Sequence, residues 1–250
     1  MKPRLFLTVC LIYLLAFSHP GLAMVLRARH VSHDSNGFSG VAAGSVPWNI
    51  VVMLTVLTLL PAIVLSMTPF ARLLVVFHFL RQALGTQSTP SNQTLIGLSL
   101  ILTYFLMQPV GTKVYETAVM PFEKGQISAL VAVERGSGPM RDFMLKYARE
   151  KDLVLFLELS KQPRPQRPED LAMRVVMPAY MLSELKAGFQ IGAALFLPFL
   201  VIDMVVAAIT TSIGMLQLPP VVISTPLKIM LFVMVDGWGL LVTSLMKSFS

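Results

Sequence analysis

Three features of this sequence predict an all-α integral membrane protein. Apolar residues make up 55% of the 250 and the mean hydropathy is +0.71, more apolar surface than a soluble domain can hide. Those residues gather in about four long runs. Between the second and third long runs, charges of both signs alternate while apolar positions recur at helical spacing, the mark of amphipathic helices in water. The expected architecture is a set of helical hairpins with a helical extracytoplasmic subdomain.

Taken in order, residues 1–23 have the pattern of a cleavable signal peptide. Lys2 and Arg4 form its basic end, Leu5 to Phe17 its apolar centre and Gly21-Leu-Ala23 a small-residue cleavage site. The apolar centre is shorter than the ~20 residues needed to span a bilayer. Cleavage would remove Cys10, the only cysteine, and would leave the mature N-terminus outside the cytoplasm. Residues 24–46 show no periodicity and are expected to form a flexible lead.

The first hydrophobic region covers 47–110. Trp48 to Met67 is apolar apart from Pro61, which should kink a helix. Phe70 to Leu80 carries Arg72 and His78 and is too short to cross, so it should be a helix packed on partners or a re-entrant one. In the polar stretch from Gly85 to Gln93, Gly85 suits the position after a helix and Ser91 or Asn92 can cap the next. That next helix is expected over Leu95 to Val110.

Residues 111–174 form the amphipathic subdomain, punctuated by Gly136-Ser-Gly-Pro139 and by the proline-rich linker from Lys161 to Pro168. Residues 175–250 form a second hydrophobic hairpin. A polar helix start at Met177 to Gly192 leads into an apolar run holding Asp203. The turn 214–220 reverses the chain, and the returning run carries Lys228 and Asp236. With the N-terminus outside, Arg72 and Arg81 fall on the cytoplasmic side, residues 111–174 outside, and the turn 214–220 inside.

Charges within apolar helices are costly, so Glu184, Lys186, Asp203, Lys228 and Asp236 should face protein or water and have partners. Lys228 and Asp236 are eight apart, so on one helix about 12 Å of axis would separate them and they could not pair. Glu184 and Lys186 point to different sides of their helix, suiting two different neighbours. Three uses remain open: contacts between copies of the chain, structural pairs within one chain, or a proton route. The turn Met215-Leu-Gln-Leu218 is either a closure of adaptable side chains around a pore or an ordinary buried turn.

The net charge of +7 owes much to Lys2, Arg4, Arg27 and Arg29, and no basic patch is interleaved with aromatics, which argues against nucleic-acid binding. His30 and His33 lie apart from any acid cluster that could complete a metal site, and no cofactor is expected. No nucleophile elbow, phosphate loop or zinc-protease motif occurs, so catalysis is not expected.

Two long stretches resemble a known family. Phe79-Leu-Arg-Gln-Ala-Leu-Gly-Thr-Gln-Ser-Thr-Pro-Ser-Asn-Gln93 is similar to the first signature of the FliP family of flagellar export-gate proteins. Met177-Pro-Ala-Tyr-Met-Leu-Ser-Glu-Leu-Lys-Ala-Gly-Phe-Gln-Ile-Gly192 is similar to its second. Leu197 to Val206 and Pro226 to Trp238 continue the likeness, which covers the chain from about residue 48. Injectisome homologues are similar, but Leu84-Gly-Thr-Gln87 and the signal peptide favour the flagellar branch.

The resemblance implies five copies assembled with FliQ and FliR into a helical funnel in the basal body of the inner membrane, much of it raised toward the periplasm. Other export-apparatus proteins would be further partners, and unfolded flagellar subunits the cargo. It also implies that Met215, Leu216, Gln217 and Leu218 line the constriction, and that Glu184 and Lys228 lie between copies. Family loops often carry consecutive methionines, whereas here Met215 is followed by Leu, Gln and Leu. The competing functions are a small ion-coupled secondary transporter, whose halves should show a repeat that this chain lacks, and a non-conducting scaffold of the secretion apparatus.

Overall fold

The computed structural model describes residues 48–86, 88–161, 167–214 and 219–249. The expected signal peptide and N-terminal lead, most of the proline-rich linker and the turn residues Met215 to Leu218 lie outside them. The chain divides into two compact units, Met1–Val51 and Val52–Ser250; of the first, only 48–51 are described, within the helix α1.

The described residues are helical, without strands, as an all-α membrane protein requires. Helix α1 spans Trp48–Ser66 and runs through Pro61. Helix α2 spans Phe70–Ala83, longer than its apolar run because Arg81 and Gln82 extend it; Gly85 follows with φ of 76°. A side chain at Gly85 would be strained by that angle, and its Cβ would stand 2.7 Å from Thr225 Oγ1. Helix α3 spans Asn92–Val114, capped by Ser91, whose hydroxyl accepts from Thr94 N–H at 3.3 Å. It continues through a π-helical turn at Tyr115–Val119 into the short α4, Met120–Glu123. The wide turn precedes Pro121, whose ring would clash with the carbonyl four residues back in a regular helix.

Helix α5 spans Ala129–Tyr147 and passes unbroken through Gly136-Ser-Gly-Pro139, which was expected to interrupt it. A Cβ at Gly136 would lie 3.4 Å from that of Ala118, so this stretch is where α5 lies close to the π-helical turn. Helix α6 spans Glu150–Leu159.

Helix α7, Met173–Ser212, joins the polar start and the apolar run into one helix of 40 residues, about 60 Å long at 1.5 Å per residue. Helices α8, Pro220–Met234, and α9, Gly237–Lys247, meet at a bend of 65°. Among the described residues, two helical stretches are long and apolar enough to cross a membrane, Asn92–Glu123 and Met173–Ser212, or up to four if each bent pair forms one span.

Two apolar cores lie along α7. One gathers Leu73, Phe77 and Leu80 of α2 with Leu95, Leu102, Phe199, Phe232 and Leu245. The other gathers Met144 and Leu157 with Val175, Val176 and Tyr180. Helix α2 lies closest to α7, and two glycines of α7 permit it. A Cβ at Gly188 would meet Val75 at 3.2 Å, and one at Gly192 would meet the Phe79 ring at 2.5 Å. The Gly188-x-x-x-Gly192 spacing puts both on one face, a seam that lets two helix backbones approach.

Candidate functional site

The charged residues singled out above fall along α7 and its neighbours, and most find their partners inside this chain. Glu184 is fully buried and accepts a short hydrogen bond from the Arg72 guanidinium of α2. Arg72 is itself enclosed. Its guanidinium carbon stands 3.9 Å from the centre of the Phe249 ring, and one of its nitrogens donates to Ser248 Oγ at 3.2 Å. The Tyr147 hydroxyl donates to the Phe249 carbonyl, so the residues after α9 are held over the ion pair from both sides. Arg72 Nε, Glu184 Oε2 and Tyr180 Oη, all buried, have no partner among the described residues.

Lys186 pairs with Asp152 near the start of α6, a different neighbour from that of Glu184, as the two-residue spacing suggested. Asp152 is 1% exposed. Burial pushes its carboxyl up, but hydrogen bonds from Lys186 and Ser183, with the charges of Lys186 and Arg149, hold it below the ordinary carboxylate value. Ser183 donates to Asp152 at 2.8 Å and accepts from the Arg149 backbone N–H at 2.9 Å. This network ties the junction of α5 and α6 to α7.

Lys228, 2% exposed, pairs with Asp203 and donates to the Ala83 carbonyl at 3.1 Å. That carbonyl belongs to the last turn of α2, whose C-terminal end attracts a cation. One ammonium thereby joins α2, α7 and α8.

Asp236 departs from the expectation that it shares a helix with Lys228. Helix α8 stops at Met234, and Asp236 takes φ of 50°, directing the chain into α9. Its carboxylate lies over Gly239, where a Cβ would stand 2.3 Å from Oδ2. A Cβ at Gly237 would stand 2.2 Å from the Phe232 ring. The Asp-Gly-Trp-Gly spelling therefore makes a corner.

Arg72 and Asp152 were not singled out by sequence as partners. Arg72 was visible as a charge in an apolar segment, and the signal for the seam was Gly188-x-x-x-Gly192 itself. Asp152 lies in a mixed-charge stretch where nothing in the sequence separates a buried acid from solvated ones. Among the described residues, no group of three or more His, Cys, Asp or Glu could hold a metal ion.

A sequence profile described as the FliP family matches residues 53–245. The chain is 54% identical over 198 residues to the flagellar biosynthetic protein FliP of Pectobacterium carotovorum subsp. carotovorum, covering 79% of this chain and 77% of that one. It is 44% identical over 220 residues to FliP of Bacillus subtilis (strain 168), covering 86% of this chain and all of the relative. FliP of Buchnera aphidicola subsp. Baizongia pistaciae (strain Bp) is 44% identical over 243 residues, 97% of this chain and 66% of the relative. The profile takes in every paired charge of α7, both glycines of the seam and the corner at Asp236, and the chain belongs to the FliP family.

Proposed function

We propose that the chain is a subunit of the flagellar type III protein-export gate, forming with FliQ, FliR and further copies of itself an inner-membrane channel for unfolded flagellar proteins. Membership of the FliP family over residues 53–245 carries this reading. The distribution of surface supports it. The charges Glu184, Lys186 and Asp203 of α7 are paired within the chain, while Leu197, Val201, Met204, Val205 and Ile209 on α7 and Val222, Met230, Val233 and Met234 on α8 are exposed. Such a surface calls for lipid or apolar protein neighbours. A proton relay along α7 gains no support, because Glu184 and Asp203 are nineteen residues apart and no other acid or histidine lies between them on the helix.

In this reading the mature N-terminus is periplasmic and residues 215–218, which join α7 to α8, line the constriction. Native mass spectrometry of the chain co-expressed with FliQ and FliR tests the assembly. Five copies of a chain lighter by its signal peptide are expected, and a chain that stays alone overturns the proposal. Leu216→Asp tests the loop: it should make the membrane leak small ions or block export, and an intact barrier with normal export refutes a pore-lining role.

A further inference from the structure

The ring that covers Arg72 has a second place to go. Phe249 follows α9 and is 7% exposed. Its ring lies over the Arg72 guanidinium and packs edge-on against Tyr147, with ring centres 5.2 Å apart. The same ring lines a cavity of about 320 Å³ between α3 and α5, with Leu106, Val110 and Phe143 on its apolar side. A void of about 150 Å³ takes one benzene ring, so this one has room for a phenyl group. Lys113 and Asp142, both exposed, stand on its remaining wall and open it to water. Phe249 thus separates a wettable cavity from a buried ion pair.

The backbone at Phe249 is held and the ring is not. Its N–H donates to the Met246 carbonyl at 3.2 Å, and its carbonyl accepts from the Tyr147 hydroxyl. The ring makes ring contacts alone and can turn to another rotamer about its Cα–Cβ bond with both hydrogen bonds intact. The covered arrangement also carries a cost. Arg72 Nε and Glu184 Oε2 are buried and have no partner among the described residues. Leaving polar atoms of charged groups buried and unmatched costs about as much as a ring over a guanidinium returns. Turning the ring into the cavity trades that ring contact for hydration of the two atoms, so the two placements differ little in free energy.

We infer that Phe249 is a latch with two positions, closed over the Arg72–Glu184 pair and open in the cavity between α3 and α5. Closed, it keeps the pair dry and the α2–α7 crossing locked. Open, it admits water to the pair and loosens the crossing, while Tyr147 keeps the residues after α9 attached to α5. The latch does not depend on the export-gate reading.

Phenylglyoxal, which modifies accessible guanidinium groups, reads the open position. The purified full chain in mild detergent is labelled well below its unfolding temperature, and the peptide that contains Arg72 is followed by mass spectrometry. Arg72 should react faster than the chain globally unfolds. Phe249→Ala should speed the reaction at least about tenfold, because it makes permanent an access that a minor state of about 10% or less provides. Val110→Phe, which fills the cavity and leaves Phe249 and Arg72 themselves unaltered, should slow it by a comparable factor. A ring with a purely structural role predicts the first change and not the second. Leu106→Phe, on the same wall, takes the place of Val110→Phe if that variant loses its helical circular dichroism. Equal rates in wild type and the folded cavity-filled variant overturn the proposal, as does an Arg72 modified only at the rate of unfolding.

Discussion

Removing the carboxylate of Glu184 tests the central claim about the α2–α7 crossing. In Glu184→Ala the Arg72 guanidinium stays in place, 6% exposed, with only Ser248 Oγ and the Phe249 ring to receive it. Breaking a buried ion pair by deleting one partner costs about 3–5 kcal/mol, because the surviving charge is stranded away from water. For a domain of this size each kcal/mol shifts the melting temperature by about 2–4 °C, so a fall of roughly 6–20 °C is expected. Replacing both residues, as Arg72→Met with Glu184→Met, removes the stranded charge along with its partner. The double variant should therefore be more stable than either single one. Thermal unfolding of the purified chain in mild detergent, over the full double-mutant cycle, measures this. A single variant within a degree or two of wild type would refute the reasoning, as would a double variant whose loss equals the sum of the singles.

Gly192→Ala places a methyl 2.5 Å from the Phe79 ring, and overpacking of this kind costs about 1–3 kcal/mol; a melting temperature equal to wild type would mean that the seam is looser than described. Lys228→Glu should destabilise the chain and be partly rescued by Asp203→Lys, but not by Glu184→Lys; rescue by the latter would favour a contact between copies. Asp152 predicts an acid dependence. Its folded-state value lies below the ordinary 3.8, so its contribution is present above that value and is lost as pH falls through the lower folded one. Melting curves from about pH 7 to about pH 3 should therefore show a steeper loss for wild type than for Asp152→Asn, and parallel curves would exclude this role.

What the sequence made legible follows from how strongly each signal is constrained. Hydropathy and capping residues located the helices, because an apolar run must be covered and Ser91 has a structural task that few residue types perform. The costly charges were legible too, since a charge in an apolar helix must have a partner. The identity of that partner was not legible. Arg72 and Glu184 are separated by 112 positions, and only the fold brings them together. The run from Lys228 to Asp236 was misread as one helix because hydropathy records how apolar a segment is and not where its backbone bends. The bend rests on the two glycines at 237 and 239, each of which leaves room for a neighbouring side chain. Gly136 and Pro139 misled in the opposite direction: both are the poorest helix formers, yet α5 continues through them where Gly136 lies close to Ala118.

The length of α7 has a consequence for where the lipid can lie. From Glu184 to Asp203 the helix advances nineteen residues, about 28 Å, close to the ~30 Å of a hydrocarbon core. Seated with these two positions at its boundaries, α7 holds both ion pairs at the edges of the oil, where a charge costs least, and keeps Lys186 next to water. Arg72 then lies at the same boundary as Tyr147 of the amphipathic subdomain, not on the opposite, cytoplasmic side where the sequence topology put it. The turns beyond Asp203 then emerge from the far side, still carrying Val205, Ile209 and Ile213 on their surface. Water will not solvate them, so in that seating they call for an apolar neighbour of their own.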